Sequence, residues 1–407
     1  MVFALGSLTS GPLGPYAAGF AEELARQGYT VSGGEQHLRF IAHLNRWTFR
    51  AGLGVGGLST PVLERFLAER RALGYARYRT MLAMRPLFDY LSPLGVLPAP
   101  EPVGLGPVDE LLARYGEFLV GERGLKQTTA EGYIYSVRPF LAARLDAAGG
   151  LVLVDLNAAD VTGFVLAACP GRAVGSAKLV VTALRSLLNW LHLIGAVPIS
   201  LAGAVPPVAG WRLSGLPKGL EHDQLRRMLA SCDRRRATGR RDYAIVLMLA
   251  RLGLRAGEVA KLGLDDIDWR AGEITLRGKG NRDERLPLPA DVGAALAGYV
   301  RRGRPRTAQG RSVFVRANAP HTAATTQVVT LAVSAAAQRA GLGPIHAHRL
   351  RHTAATTMLR AGTPLPEVGQ VLRHRSTHTT AIYAKVDRVA LTVLAKPWPG
   401  GAAGRLS

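Results

Sequence analysis

The stretch DYAIVLMLARLGL (242–254) is apolar at almost every position, which predicts a helix buried on most of its faces. Asp242 is placed to cap its start, and Gly253 stands where it should stop. Downstream the period changes. GEITLRG (272–278) alternates and predicts a strand, GKGNRD (278–283) a Gly-rich turn, and ERLPLP (284–289) the returning strand. SVFVR (312–316) predicts a third strand. Elsewhere apolar residues recur at helical spacing. The expected fold is mainly α with a small antiparallel β-sheet confined to the C-terminal half.

The first half carries a faint repeat offset by 100 residues. LSTPVLERFL (58–67) echoes LNAADVTGFV (156–165), and RPLFDYLSPLGVLP (85–98) echoes RSLLNWLHLIGAVP (185–198). Each copy opens a helix at a Ser or Asn cap and closes an amphipathic helix at Gly, with Pro beyond. Two tandem helical domains follow from this, an N-terminal one within 1–105 and a second over 106–205. LPAPEPVGLGPV (97–108) reads as the linker between them. A second Pro-rich stretch, AVPISLAGAVPPVAGWRLSGLPKG (196–219), reads as another, with 206–217 as the connection itself. Residues 218–407 form the third, mixed domain. Leu191–Trp211 is the longest weakly charged run, but Pro198, Pro206 and Pro207 break it, so no membrane span is expected.

Charge narrows the class of partner. The chain has 407 residues, enough for several cores, and a net charge of +22 carried mostly by arginine. Such a balance favours polyanions, and double-stranded DNA is the expected partner. Cys169 and Cys232 form no CxxC pair and read as reduced thiols of a cytoplasmic protein.

Four stretches of the third domain hold the candidate chemistry. In ARLGLRAGEVAKL (250–262), Arg255 begins a new helix and Glu258 lies one turn on, close enough to hold it. Lys279 occupies the tip of the predicted hairpin, where a flexible amine can reach a ligand and donate a proton. HAHRLRHTAATTMLRAG (346–362) places His348, Arg351 and His352 on one helical face. A zinc helix of the HExxH kind needs an acid beside the first histidine, but Arg349 stands there, so a metal is not expected. Fixed donors and positive charge suit a phosphate instead. VLRHRSTHTTAIYAKV (371–386) sets Tyr383 nine residues after His374 in a polar, basic segment. Taken singly, each could be an ordinary ion pair, a solvated lysine, a basic face or a half-buried tyrosine.

Taken in order, they resemble the tyrosine recombinase (phage integrase) family. That family carries an Arg in a GLRxxE box, a Lys on a β-hairpin, an HxLRH box, and an LGH box followed by the nucleophilic Tyr. These fall on Arg255, Lys279, His348 with Arg351, His374 and Tyr383. The resemblance covers about 218–387, and 116–145 is similar to the family's core-binding domain. Two positions depart from the pattern: Arg373 makes the LGH box read LRH, and Arg349 fills the variable place of HxLRH.

The resemblance implies helical DNA-binding domains ahead of a mixed α+β catalytic domain. It implies a site-specific recombinase that cleaves and rejoins DNA through a 3′-phosphotyrosine link, without metal, cofactor or ATP. Tyr383 would be the nucleophile, Arg255 and Arg351 would clamp the phosphate with His374 as a further donor, and Lys279 would protonate the leaving 5′-oxygen. His348 would assist proton transfer from Tyr383, as general base and acid by turns, or position the phosphate. Glu258 would support Arg255, and His352 would be a scaffold residue or a helper. Lys126, Arg138, Lys178, Arg282, Arg349 and Arg373 are candidate DNA contacts. Four protomers would synapse two sites, starting from a monomer in solution, and LTVLAKPW (391–398) could dock on a neighbour. The extra residues 1–105 favour integration or excision of a mobile element. A Xer-like role in chromosome-dimer resolution and a non-catalytic DNA-binding role are the alternatives.

Overall fold

A computed structural model describes residues 11–98, 105–209, 219–277, 283–373 and Tyr383. It is mostly helical, with one three-stranded antiparallel sheet. Contacts divide the chain into Glu101–Ser214 and a second unit formed by Met1–Pro100 with Gly215–Ser407. Among the described residues, no helix is long and apolar enough to cross a membrane.

The N-terminal residues form α1 (Ala17–Arg26), α2 (Val31–Arg50), α3 (Thr60–Ala72) and α4 (Arg85–Leu91) around their own core of Phe20, Leu38, Phe66 and Leu87. The Glu101–Ser214 unit holds α5 (Pro107–Glu117), α6 (Gln127–Ala142), α7 (Ala158–Ala168) and α8 (Val174–Leu193). The repeat is visible at helix ends rather than in helix length. Gly95 and Gly195 both turn left-handed, at φ 67° and 71°, to close their helices. However, Pro86 must sit in the first turn of α4, which has 7 residues, whereas α8 has 20. Asn157 caps α7 with its side chain, accepting from Ala159 N–H at 2.9 Å, but Ser59 makes no such bond at the start of α3. The first part of the expected second linker is packed structure: Val197, Leu201 and Val205 are buried in the core of this unit. Their apolar side chains outweigh the Pro and Gly signals around them.

The C-terminal part contains α9 (His222–Ala230), α10 (Ala237–Leu252), α11 (Ala256–Lys261), β1 (Ile267–Asp268), β2 (Glu273–Arg277) and β3 (Asp283–Pro287). It continues with α12 (Ala290–Arg302), α13 (Thr326–Arg339), α14 (Ala347–Arg360) and α15 (Leu365–Val371). The sheet order is β1-β2-β3, with Ile274 opposite Leu286. Two expectations fail. Asp242 does not cap α10, which starts five residues earlier; Gly239 permits this, because a Cβ there would stand 1.9 Å from the Asp233 carbonyl oxygen. Asp242 is instead buried inside the helix, paired with Arg241 at 2.8 Å and Arg339 at 3.7 Å. The stretch 312–316 is not a strand either. Val313, Phe314 and Val315 are all buried, so burial does not alternate, and only isolated bridges form at Ser312 and Val315. The third strand is the short β1.

Helix α14 faces two ways. Ala347 and Leu350 enter the main core, while Ala355 and Leu359 join Val368, Leu372 and Tyr383 in a smaller cluster. Residues 219–221 are fastened to the same helix: Leu220 N–H donates to Thr353 Oγ1 at 2.8 Å, and Glu221 pairs with Arg360 at 2.9 Å. Gly253 ends α10 at φ 60°, and a Cβ there would lie 2.5 Å from Leu372 Cδ2. Gly253→Ala therefore meets both left-handed strain and a clash, and a stability loss of about 2 kcal/mol is expected in chemical denaturation. An unchanged midpoint would contradict this account of the turn.

Candidate active site

The turn after α10 delivers Arg255 to the start of α11. Glu258, on the first turn of that helix, reaches back and accepts from the Arg255 backbone N–H at 2.8 Å and from its Nη1 at 2.7 Å. The same carboxylate accepts from Arg373 Nη2 at 2.5 Å. Arg373 completes the arrangement: its carbonyl accepts from Arg255 Nη2 at 3.2 Å, and its Nε lies 3.2 Å from Glu284 Oε2 on β3. One carboxylate thus fixes two guanidiniums that would otherwise repel. Burial alone would raise the Glu258 carboxyl, but the Arg255 N–H, the Arg373 charge and the Arg255 guanidinium outweigh it and hold it below the usual carboxylate range. Arg373 carries φ 57°, a left-handed backbone that costs a non-glycine residue about 1 kcal/mol. Its two carboxylate partners hold it there.

Arg351 lies one helical turn inside, 2% exposed. Its Nη1 donates to the Gly253 carbonyl at 2.5 Å and its Nη2 to the Leu372 carbonyl. Burial first, and the Arg255 charge second, push its pKa down to about 10, so it remains cationic at neutral pH. The Arg255 side chain is 48% exposed and forms the open edge of the cluster.

The histidines continue along α14. His348 is exposed, and its ring packs edge-on against His352 with centroids 4.5 Å apart. Partial loss of water and the charges of Arg351 and Arg255 lower its pKa. His352 Nδ1 lies 2.7 Å from the Tyr383 hydroxyl. Burial, then His348 and Arg351, push His352 down to about 4. Tyr383 is 1% exposed, and burial raises its phenol to about 12 against a smaller opposing effect of Arg351.

The structure therefore gathers Arg255, Glu258, His348, Arg351, His352, Arg373 and Tyr383. Two features had no local sequence signal. Arg373 is a fixed part of the cluster because Glu258, 115 residues away, folds next to it. His352, rather than His348, meets the phenol. Lys279, Arg282, His374 and the 391–398 segment lie outside the described residues. Arg349 is half-buried on α14. In the Glu101–Ser214 unit, Lys126 is exposed, Arg138 pairs with Asp109 at 2.6 Å, and Lys178 is half-buried on α8. Among the described residues, no group of three or more His, Cys, Asp or Glu is arranged to hold a metal ion. The convergent chemistry is cationic, three guanidiniums beside imidazoles and a phenol, and it suits an oxyanion.

Residues 218–389 match the sequence profile of the phage integrase family. The protein y4rA of Sinorhizobium fredii, provisionally named an integrase/recombinase, is 40% identical over 405 residues, 98% of either chain. The tyrosine recombinase XerD of Listeria monocytogenes is 31% identical over 70% of this chain and 96% of its own. This chain belongs to the phage integrase family of tyrosine recombinases. Its fold is shared by the XerH site-specific recombinase bound to its difH substrate before cleavage, with TM-score 0.52, 19% identity and coverage of 83% of this chain and 94% of that one. A lambda integrase dimer bound to a COC′ core site gives TM-score 0.54 at 15% identity, covering 81% and 91%.

Two outcomes follow for this tyrosine recombinase. Glu258→Ala leaves the Arg373 guanidinium, whose side chain is 8% exposed, with Glu284 as its one carboxylate among the described residues, and should cost about 3 kcal/mol in denaturation. Adding Arg373→Met should recover part of that loss, and additive losses would refute the shared-carboxylate account. The second outcome concerns pH. His352 titrates at about 4 in the folded chain against 6.5 unperturbed, so between those values the unfolded chain holds a proton that the folded one refuses. Stability should be full above pH 6.5 and fall toward pH 4, by at most about 3 kcal/mol from this residue. His348 acts in the same direction. Melting midpoints for His352→Gln should fall less over this range than those of the unaltered protein; equal slopes would contradict the assignment.

Proposed function

We propose that this chain is a site-specific recombinase that cleaves and rejoins double-stranded DNA through a covalent 3′-phosphotyrosine intermediate at Tyr383. The observation that carries this reading is the convergence of groups from three sequence-distant segments. Tyr383 meets His352 of α14 from 31 residues away, and the charge of Arg255 acts on both the buried Arg351 and His348 of the same helix.

The physical roles follow from the chemistry of a phosphodiester. Attack by Tyr383 Oη on phosphorus places extra negative charge on the non-bridging oxygens, which Arg255 and Arg351 are charged to receive. His348, at the exposed edge, adds a donor to the phosphate, as does His374. Lys279 protonates the leaving 5′-oxygen. The phosphotyrosine ester conserves the bond energy, so rejoining needs no nucleotide hydrolysis. With its charge supplied by side chains, the reaction calls for no metal cofactor. Glu258 and Arg373 keep Arg255 in position.

The net charge of +22 supports DNA as the partner, with Lys126, Arg138, Lys178, Arg282 and Arg349 as backbone contacts that position rather than specify. Arg373 stands apart from these, since its guanidinium is already engaged by Glu258 and Glu284. A monomer in solution would assemble into a tetramer on two synapsed sites. A related fold, lambda integrase, is known as a tetramer bound to a Holliday junction. Integration or excision of a mobile element is the favoured role, since y4rA aligns with 98% of the chain and XerD with 70%. Chromosome-dimer resolution is the second reading, favoured by the 31% identity to XerD.

A nicked suicide duplex drawn from the genomic DNA flanking the gene tests the activity. The unaltered protein should form an SDS-resistant protein–DNA adduct, and Tyr383→Phe should form none. Absence of adduct on every flanking duplex, or an adduct that survives Tyr383→Phe, would sink the reading. Sequencing the trapped ends separates an element boundary from a chromosomal resolution site.

A further inference from the structure

We propose that His352, the last residue of the HRLRH stretch, is the general base that takes the phenolic proton of Tyr383 during strand cleavage and returns it during rejoining. This rests on the reading of Tyr383 as nucleophile. His348, the first histidine of the family's HxLRH pattern, is left with the phosphate.

The geometry separates the two histidines. His352 Nδ1 is 2.7 Å from the Tyr383 oxygen, within the range required of a base for the proton it removes. Their rings lie with centroids 5.4 Å apart at 59°. His348 stands one turn toward the start of α14, its ring against His352 and its surroundings set by Arg255 and Arg351. It is exposed where a phosphate would arrive, whereas the phenol is enclosed among Ala355, Leu359, Val368 and Leu372. The helix spacing accounts for the division: residues four apart share a face but differ in height by one turn.

The step balances without a further reactant. As Tyr383 Oη bonds to phosphorus, its proton passes to Nδ1 of the neutral His352 ring, which carries its other proton on Nε2. The bond from phosphorus to the 5′-oxygen breaks, and that oxygen takes a proton from Lys279. Rejoining reverses each movement.

The same surroundings make the transfer conditional. In the free chain, burial, His348 and Arg351 all disfavour an imidazolium at 352, and burial disfavours a phenolate at 383. The pair therefore holds its proton on the tyrosine. A docked phosphate brings negative charge to Arg351 and Arg255 and offsets the cationic field that opposes a charged His352. Activation of the nucleophile is thereby tied to the presence of the bond it cuts.

Single-turnover adduct formation on the nicked duplex tests this. His352→Asn keeps an acceptor near the Nδ1 position but cannot hold a proton at neutral pH, and His352→Ala removes both. Each should slow cleavage about 100-fold while DNA affinity in gel shift stays within a few fold. Replacing Tyr383 by a more acidic fluorotyrosine, through nonsense suppression, should restore the His352→Asn rate and leave His348→Asn slow. Cleavage by His352→Asn at the unaltered rate, or no rescue by the fluorotyrosine, would overturn the proposal. If the unaltered protein itself forms no adduct, it is the assignment of Tyr383 as nucleophile that fails.

Discussion

The buried guanidinium of Arg351 is the constraint around which the rest of the site is arranged. A cation removed from water needs partners fixed in place, and two of them are backbone carbonyls, of Gly253 and Leu372. The first belongs to the left-handed residue that ends α10, where helical carbonyls have lost their own donors. The second belongs to the residue just beyond α15. One side chain on α14 therefore ties the ends of two other helices. The turn that supplies Gly253 also starts α11 at Arg255, and the residue after Leu372 is Arg373. Both arginines that share Glu258 are thus placed by the segments Arg351 holds.

This explains why Gly253 has no room for a side chain and why Arg373 tolerates a left-handed backbone. The chain must pass close to Leu372 on one side and turn sharply on the other, so that two carbonyls face one guanidinium. The strain at Arg373 is local, and Glu258 and Glu284 offset it by charge pairing. These contacts are long-range in sequence, and they close the site only when the whole C-terminal core is folded.

Much of this was legible in the chain itself, for identifiable reasons. The helix 242–254 and its stop at Gly253, and the pair of strands around residue 280, follow from periodicity and from glycine's freedom at positive φ. The Arg255–Glu258 link follows from i,i+3 spacing. What failed was set by tertiary context. Asp242 looks like a cap because its acid precedes an apolar run, but Gly239 lets the helix begin earlier and buries that acid against Arg241 and Arg339. SVFVR has strand composition, yet Phe314 stacks on Tyr299 at 5.4 Å and the segment is buried on successive residues. Arg373 reads as a loose basic residue until Glu258 folds beside it. Spacing shows that His348 and His352 share a face, but not which ring meets a tyrosine 31 residues further on.

The site is an assembly of like charges. Arg255 and Arg373 share Glu258, Arg373 also reaches Glu284, and the charges of Arg255 and Arg373 lower the affinity of Arg351 for its proton. The exposed edge at Arg255 and His348 is where an anion can enter, and the interior at Arg351 and Tyr383 is where its charge has most effect, because both side chains are buried. On the proposed function, an arriving phosphate would relieve repulsion that folding has already accepted, while burial keeps the phenol protonated beforehand. On that proposal the concentrated charge is a functional part of the fold: it opposes protonation of His352 and would make the reactive state depend on the substrate.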